Sequence, residues 1–338
     1  MAARKGRSRK GKARAKGMNT LPLYVVLFAL FALYIFYQGT PLYSTILGIA
    51  LFLVIVTLIA LEVINGFREE GYKKNIIELG LAIAIVLIAW FVLKFVLNTS
   101  NPIDVVPSCS MLPVLNRGDM VAIQGISTPS GLKAPIINVT AQQYQSFINN
   151  FTNEQLQCIA YKQTGDNIVV SQLVPQGFQV GLYKGATLSS SPQLISADEQ
   201  GGNLVQYSCG IADIKYSNGT TAQEAYTSGI TVNGHQMTGD ANNSIVVYQT
   251  VPQDFFYQLG DRYIVHRVYA IINASGTYYT LTKGDNNPGL DLQYGNYPAN
   301  LTYVQGKVVA DVPYLGYLRL ILSNNFNQPA GCNSYIQN

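Results

Sequence analysis

Asn75–Leu97 reads NIIELGLAIAIVLIAWFVLKFVL, and Pro107-Ser108-Cys109-Ser110-Met111-Leu112-Pro113 begins ten residues beyond its end. The first stretch carries only two charges, Glu78 and Lys94. Its length is close to the roughly 20 residues an α-helix needs to cross a hydrocarbon core. Past Leu97 the composition changes. Met120–Gln124, Ser244–Gln249, Tyr263–Ile272, Thr277–Thr282, Val304–Val312 and Tyr314–Leu322 are rich in Val, Ile, Tyr and Thr, with Gly, Asn, Asp and Pro between them. That pattern predicts strands. The chain therefore reads as membrane helices first and a β domain after them.

Upstream, no charged residue occurs from Gly17 to Leu61. Gly39-Thr40-Pro41 interrupts this run, and proline there disfavours one continuous helix. Two more membrane helices are expected, Leu21–Gln38 and Pro41–Ile64, giving three in residues 18–97. A cleaved signal peptide is the alternative for the first run, but no small-residue cleavage site follows it and a second span begins at once. Of the 338 residues 12% are charged, with 22 basic against 18 acidic and a net charge of +4. Mean hydropathy is +0.16. These values exclude a disordered chain and argue against an ordinary cytosolic enzyme.

The charge is unevenly placed. Arg4, Lys5, Arg7, Arg9, Lys10, Lys12, Arg14 and Lys16 put eight basic residues in the tail 1–17, leaving 14 basic against 18 acidic residues, or −4, in the rest. A basic tail before membrane spans predicts a cytoplasmic N-terminus anchored to the inner membrane face rather than a nucleic-acid partner. Arg68, Lys73 and Lys74 mark Asn65–Lys74 as cytoplasmic again, and the uncharged Gly39–Thr40 loop as external. Residues after Leu97 are then extracytoplasmic in a multi-pass plasma-membrane protein. Lys94 is the misfit, and its stem can snorkel to the interface. Seven N-x-S/T sequons, at Asn98, Asn138, Asn150, Asn218, Asn242, Asn273 and Asn300, all fall on the external side, as expected of a glycoprotein.

The β region divides in two by composition. Residues 98–124 and 243–325 carry the strand pattern. Residues 125–242 are rich in Gln, Ser, Gly, Asn and Thr, with short apolar segments at Asn167–Val170 and Gly177–Tyr183. They form either a β-rich insert or a set of long loops. Residues 326–338 read as a polar tail. No internal repeat and no amphipathic helix of three turns is expected. Cys109, Cys158, Cys209 and Cys332 lack metal-finger spacing, which excludes a zinc framework and a dense disulfide scaffold. In an oxidising compartment Cys158 and Cys209 are expected to pair, with Cys109 and Cys332 unpaired.

Candidate chemistry is limited by two histidines. His235, in Val-Asn-Gly-His-Gln-Met-Thr-Gly, has a turn-like surface setting. His266 lies mid-strand in Tyr-Ile-Val-His-Arg-Val. Ser110 lies upstream of it. Asp285 and Asp291 lie downstream, in Lys283-Gly-Asp-Asn-Asn-Pro-Gly-Leu-Asp291. A serine hydroxyl needs an adjacent base to become a nucleophile, and the base benefits from an acid that holds its ring. Those residue types are common, so their presence alone is weak.

Their spelling is specific. Ser108-x-Ser110-Met111-x-Pro113 followed by Arg117-Gly118-Asp119 resembles the nucleophile box of type I signal peptidases. Ser244-Ile-Val-Val-Tyr248 resembles their next strand. Ile264-Val-His-Arg-Val268 and Thr282-Lys-Gly-Asp-Asn-Asn287 are similar to the endoplasmic-reticulum and archaeal branch, where histidine replaces the bacterial lysine. Gly306-Lys-Val-Val309 and Val312-Pro-Tyr-Leu-Gly316 resemble that branch's closing strands. The match spans Val105–Gln124 and Ser244–Leu322.

The resemblance implies a mostly antiparallel catalytic β domain with a large insert. Its activity would be a membrane-bound serine endopeptidase that removes signal peptides from exported preproteins. Ser110 would be the nucleophile, His266 the general base, and Asp291 and Asp285 the family's aspartates, with Asp291 the triad acid. The Ser110 N–H and Ser108 hydroxyl would form the oxyanion hole. No cofactor or metal is implied. Partners would be preprotein signal peptides, membrane lipid and the translocation machinery, with no nucleic acid. Ser110 lies 13 residues after Leu97, near enough to meet a cleavage site emerging from the bilayer, and exposed strands would offer an edge to an extended substrate. The insert, the three helices, Leu290 in place of a further aspartate, and Asn243-Ser244 in place of an acidic turn depart from the family. An inactive accessory subunit and a glycosylated surface protein are the other readings.

Overall fold

The computed structural model describes residues 19–37, 41–69, 72–151, 156–165, 167–184, 193–195, 200, 203–323, 328–329 and 331–337. The basic tail 1–17, the Gly39–Thr40 loop, and residues 326–327, 330 and 338 of the polar tail lie outside the described residues. The chain divides into two compact units, Met1–Leu93 and Lys94–Asn338.

The first unit consists of α1 (Leu21–Phe36), α2 (Pro41–Glu69) and α3 (Tyr72–Val96), the last of which runs three residues past the unit's edge. Ile46–Asn65 in α2 and Leu79–Val96 in α3 are long and apolar enough to cross a membrane, whereas the apolar part of α1, Leu21–Tyr34, is shorter. The sequence reading expected three such helices. Among the described residues two reach that length. Phe28, Ile77, Val86 and Phe91 are more than 60% exposed. Exposed apolar surface of this extent suits a non-aqueous surrounding. Glu62, the one acid within the apolar part of α2, accepts the Thr20 hydroxyl at 2.7 Å and the Tyr24 hydroxyl at 3.5 Å.

The second unit is a largely antiparallel β domain. Its main sheet contains β1 (Ile103–Val105), β2 (Met120–Gln124), β3 (Ile136–Val139), β11 (Ile245–Gln249), β12 (Tyr263–Ala274), β13 (Thr277–Lys283), β14 (Ala299–Asn300) and β15 (Val304–Val312), in the order β1-β2-β15-β11-β12-β13-β14. β3 lies parallel to the far end of β12, Ile136 opposite Ile271. Strand burial follows the period-2 pattern on β2, where Val121 and Ile123 are fully buried between half-buried neighbours.

The insert is β-rich, one of the two forms its composition allowed. One four-stranded sheet runs β5 (Asn167–Ser171), β4 (Leu156–Thr164), β6 (Gln179–Lys184), β7 (Gln193–Ile195). A second runs β10 (His235–Thr238), β9 (Thr221–Val232), β8 (Val205–Tyr216), β16 (Ser334–Gln337). The compositional borders are not structural ones. β3 belongs to the main sheet, and the polar tail supplies the edge strand β16 of an insert sheet. Val205, Ile230 and Val232 from the insert pack in one cluster with Ile272, Leu281, Leu290 and Leu292 from the main sheet and its loop.

One local expectation is corrected. Tyr314–Leu322 was expected as a strand. Tyr314 instead takes φ 60° with its N–H on the Asp119 carboxylate at 3.0 Å, and a short helix, Tyr317–Leu322, follows. The Gln/Asn-rich stretch hides an amphipathic helix, α4 (Ala141–Asn150), just under three turns long. Thr140 and Gln143 close a capping box at its start, and Tyr144, Phe147 and Ile148 lie on the face packed against the core.

The disulfides are Cys158–Cys209, as expected, and Cys109–Cys332, which was not. Compartment and count favoured one bridge. Nothing local showed that the tail returns to residue 109.

Candidate active site

Ser110 sits on the connection from β1 to β2. Met111 and Leu115 on that connection are 0% and 2% exposed and pack against Val121, Ile123, Val247 and Val265, so the loop is bolted down directly after Ser110. Arg117 donates through Nε to Pro107 O at 3.0 Å. The Asp119 carboxylate accepts the Asn116 N–H at 2.7 Å and the Tyr314 N–H. Burial pushes the Asp119 carboxyl up, against the lowering pull of those two donors.

His266 lies on β12 opposite Val246, 3% exposed. Asp291 opens a single 3-10 turn, Asp291–Tyr294, where Asn296 pins its carbonyl through both N–H and Nδ2 at 3.1 Å. The three side chains meet. His266 Nε2 is 2.9 Å from Ser110 Oγ, and Nδ1 is 2.8 Å from each Asp291 oxygen. Asp291 also accepts the Tyr248 hydroxyl at 2.8 Å and the Thr282 hydroxyl at 2.6 Å. Burial pushes the Tyr248 phenol well above its ordinary value, so it stays a neutral donor. The Phe256 ring meets the imidazole edge-on, centroids 6.3 Å apart.

Such an arrangement can pass a proton from Ser110 Oγ to His266 Nε2 while Asp291 fixes the tautomer and steadies the imidazolium. Ser108 Oγ is 3.1 Å from Ser110 Oγ, and no acceptor is found for the Ser110 N–H among the described residues. Both donors can serve negative charge developing beside the nucleophile.

The two aspartates do different work. Asp285 makes no contact with His266. Its carboxylate forms a fork with Arg267, Nε to Oδ1 at 2.8 Å and Nη2 to Oδ2 at 2.7 Å, while Arg267 Nη1 donates to Ala241 O and Asn243 O. The partner of Asp285 is the side chain next to the histidine. His235 is exposed and starts β10, away from this cluster. The roles of Tyr248, Thr282, Arg267 and Asn286 were not read from sequence. All four fall in segments already singled out, but a strand tyrosine or threonine gives no sign of what its hydroxyl meets. Among the described residues no cluster of His, Cys, Asp and Glu is placed to hold a metal ion.

Lys283 is 8% exposed, with its Nζ 3.4 Å from Gly284 O. Burial pulls its ammonium down to about 8, opposed by Asp285, Asp291 and Glu224. The folded value is depressed below 10.5, so the stability it gives is complete above that value and lost as pH falls through about 8. That difference corresponds to about 3 kcal/mol. Denaturant unfolding at pH 7 and pH 10 should show wild type gaining stability relative to Lys283→Met at the higher pH. Parallel profiles would refute the assignment.

No protein-family model, curated protein or solved structure matches this chain. Geometry and sequence pattern therefore carry the functional reading.

Proposed function

We propose that this chain is a membrane-anchored serine endopeptidase that cleaves signal peptides from exported preproteins, its catalytic β domain on the extracytoplasmic face of a multi-pass anchor. The observation that carries the reading is the His266 ring, which links Ser110 Oγ and Asp291 through opposite nitrogens. Ser110 Oγ attacks the scissile carbonyl as its proton passes to His266 Nε2. The oxyanion is held by the Ser110 N–H and Ser108 hydroxyl. His266 returns the proton to the leaving amine, leaving an acyl-enzyme on Ser110. Water, deprotonated by His266, releases the signal peptide. The spanning-length helices of the first unit suit a substrate whose cleavage site follows an apolar helix. The family resemblance of the boxes supplies the substrate class.

The test is the full-length protein in proteoliposomes with a radiolabelled preprotein. Cleavage at one bond just after the apolar segment, behind a small residue, is expected. An intact preprotein, with the β domain folded, would overturn the reading. Impermeant amine labelling of intact cells should reach Lys215 and Lys307 and spare Lys10 and Lys73. Labelling of Lys73 would reverse the topology.

A further inference from the structure

Two sets of contacts lead from the insert to the triad. The first reaches the nucleophile. β16 pairs with β8, and Ile336 is 2% exposed beside Ala212 and Ile214. Just ahead of β16, Cys332 is bonded to Cys109, the neighbour of Ser110. Asn286 joins the same two segments. Its main-chain N–H donates to Ser110 O at 2.8 Å, and its Oδ1 accepts the Ile336 N–H at 2.9 Å. Its Nδ2 lies 3.1 Å from Cys109 O, 3.1 Å from Gly331 O and 3.0 Å from Ser334 O. The Ser110 carbonyl rests on Gly284, where a Cβ would lie 2.7 Å from it. A side chain there would push the nucleophile away.

The second set reaches the acid. Thr227 of β9 donates its hydroxyl to Gln293 Oε1 at 2.8 Å and its N–H to Pro288 O at 2.7 Å. Gln293, 1% exposed, also accepts the Leu290 N–H at 2.8 Å. These anchors fall on both sides of Asp291 in the chain.

We propose that the β8–β9 hairpin, completed by β16, is the positioning scaffold of the triad. Asn286 and the Cys109–Cys332 bridge set Ser110, and Thr227 with Gln293 sets Asp291. The proposal rests on the peptidase reading. Gly284-Asp-Asn-Asn, which flanks the nucleophile, has no apolar side chain, so its placement depends on outside anchors; the turn that carries the acid is held by Leu290 and Leu292 in the core cluster, and Thr227 adds polar anchors on either side of Asp291. A displacement of about 1 Å in a catalytic constellation can cost on the order of 100-fold in rate. Asn286, Thr227 and Gln293 are positioning residues, since none touches the reacting atoms.

The test compares the reconstituted wild type with Cys109→Ser/Cys332→Ser and with Thr227→Val, which keeps side-chain volume. In both variants kcat should fall about 10- to 100-fold at unchanged KM. Hydrogen exchange should quicken at the Asn286 and Ile336 amides in the cysteine variant. A dithiol reductant should lower wild-type kcat reversibly, and should still do so in Cys158→Ala/Cys209→Ala. Unchanged exchange at Asn286 together with unchanged kcat would overturn the scaffold, as would losses confined to KM. If oxidised wild type cleaves no preprotein, the peptidase reading fails by itself. Unchanged exchange at Asn286 would then still overturn the anchoring of the nucleophile.

Discussion

Ser110→Ala should abolish preprotein cleavage, by about 10⁶-fold in turnover if the triad acts as a unit. The size follows from what the substitution leaves. His266 keeps its bond to Asp291, Ser108 keeps its hydroxyl, and the Met111 and Leu115 anchors are untouched. Only the attacking atom is gone. Folding should be unaffected, because Ser110 contributes no apolar burial and its backbone carbonyl still meets Asn286. The measurement is single-turnover cleavage in proteoliposomes, with thermal unfolding of the same preparation as control. An alanine variant that cleaves at even a hundredth of the wild-type rate would eliminate the serine mechanism.

Asp291→Asn should cost about 10⁴-fold in turnover, whereas Asp285→Asn should act chiefly on stability. Asp291 faces donors only: the His266 ring, the Tyr248 hydroxyl and the Thr282 hydroxyl. An amide keeps one acceptor oxygen and turns an NH₂ group toward the others, so His266 is driven to the wrong tautomer. Leaving one buried hydroxyl unsatisfied adds a stability cost of about 1–3 kcal/mol. Asp285→Asn removes one half of the fork with Arg267, whose side chain and that of Asp285 are each 12% exposed. Breaking such a buried pair costs about 3 kcal/mol. A lower Tm with most turnover retained well below it is the expected signature. An inactive but fully stable Asp285→Asn, beside an active Asp291→Asn, would exchange the two roles.

The parts legible in the sequence are those that composition or a short spacing determines. Apolar runs announced α2 and α3 because a hydrocarbon-length helix needs no partner to declare itself. The β12 segment around His266, and the Thr282–Asp291 run, are contiguous, so the resemblance of these boxes to the signal-peptidase pattern could name a base and an acid. What stayed hidden depends on distant segments. The Cys109–Cys332 pair is 223 residues apart in sequence, and the pairing of β16 with β8 and the bonds of Asn286 to both segments bring it together. Tyr314–Leu322 has strand-like residues, yet the Asp119 carboxylate holds Tyr314 in a turn and a helix follows. The insert looked separable because Gln, Ser and Asn dominate it. Its apolar minority, Val205, Ile230 and Val232, is what ties it to the core.

The return of residues 332–337 to the nucleophile also has a consequence in time. At about 5–20 residues per second, roughly 10–45 s separate the synthesis of Cys109 from that of Cys332. Until then Ser110 lacks its bridge and Asn286 lacks the main-chain partners it finds in Gly331, Ser334 and Ile336. A nascent chain therefore holds Ser110 without two of the anchors that the finished β domain gives it. On the peptidase reading proposed above, the share of catalytic power that depends on those anchors would come only with the late-made strand and the Cys109–Cys332 oxidation.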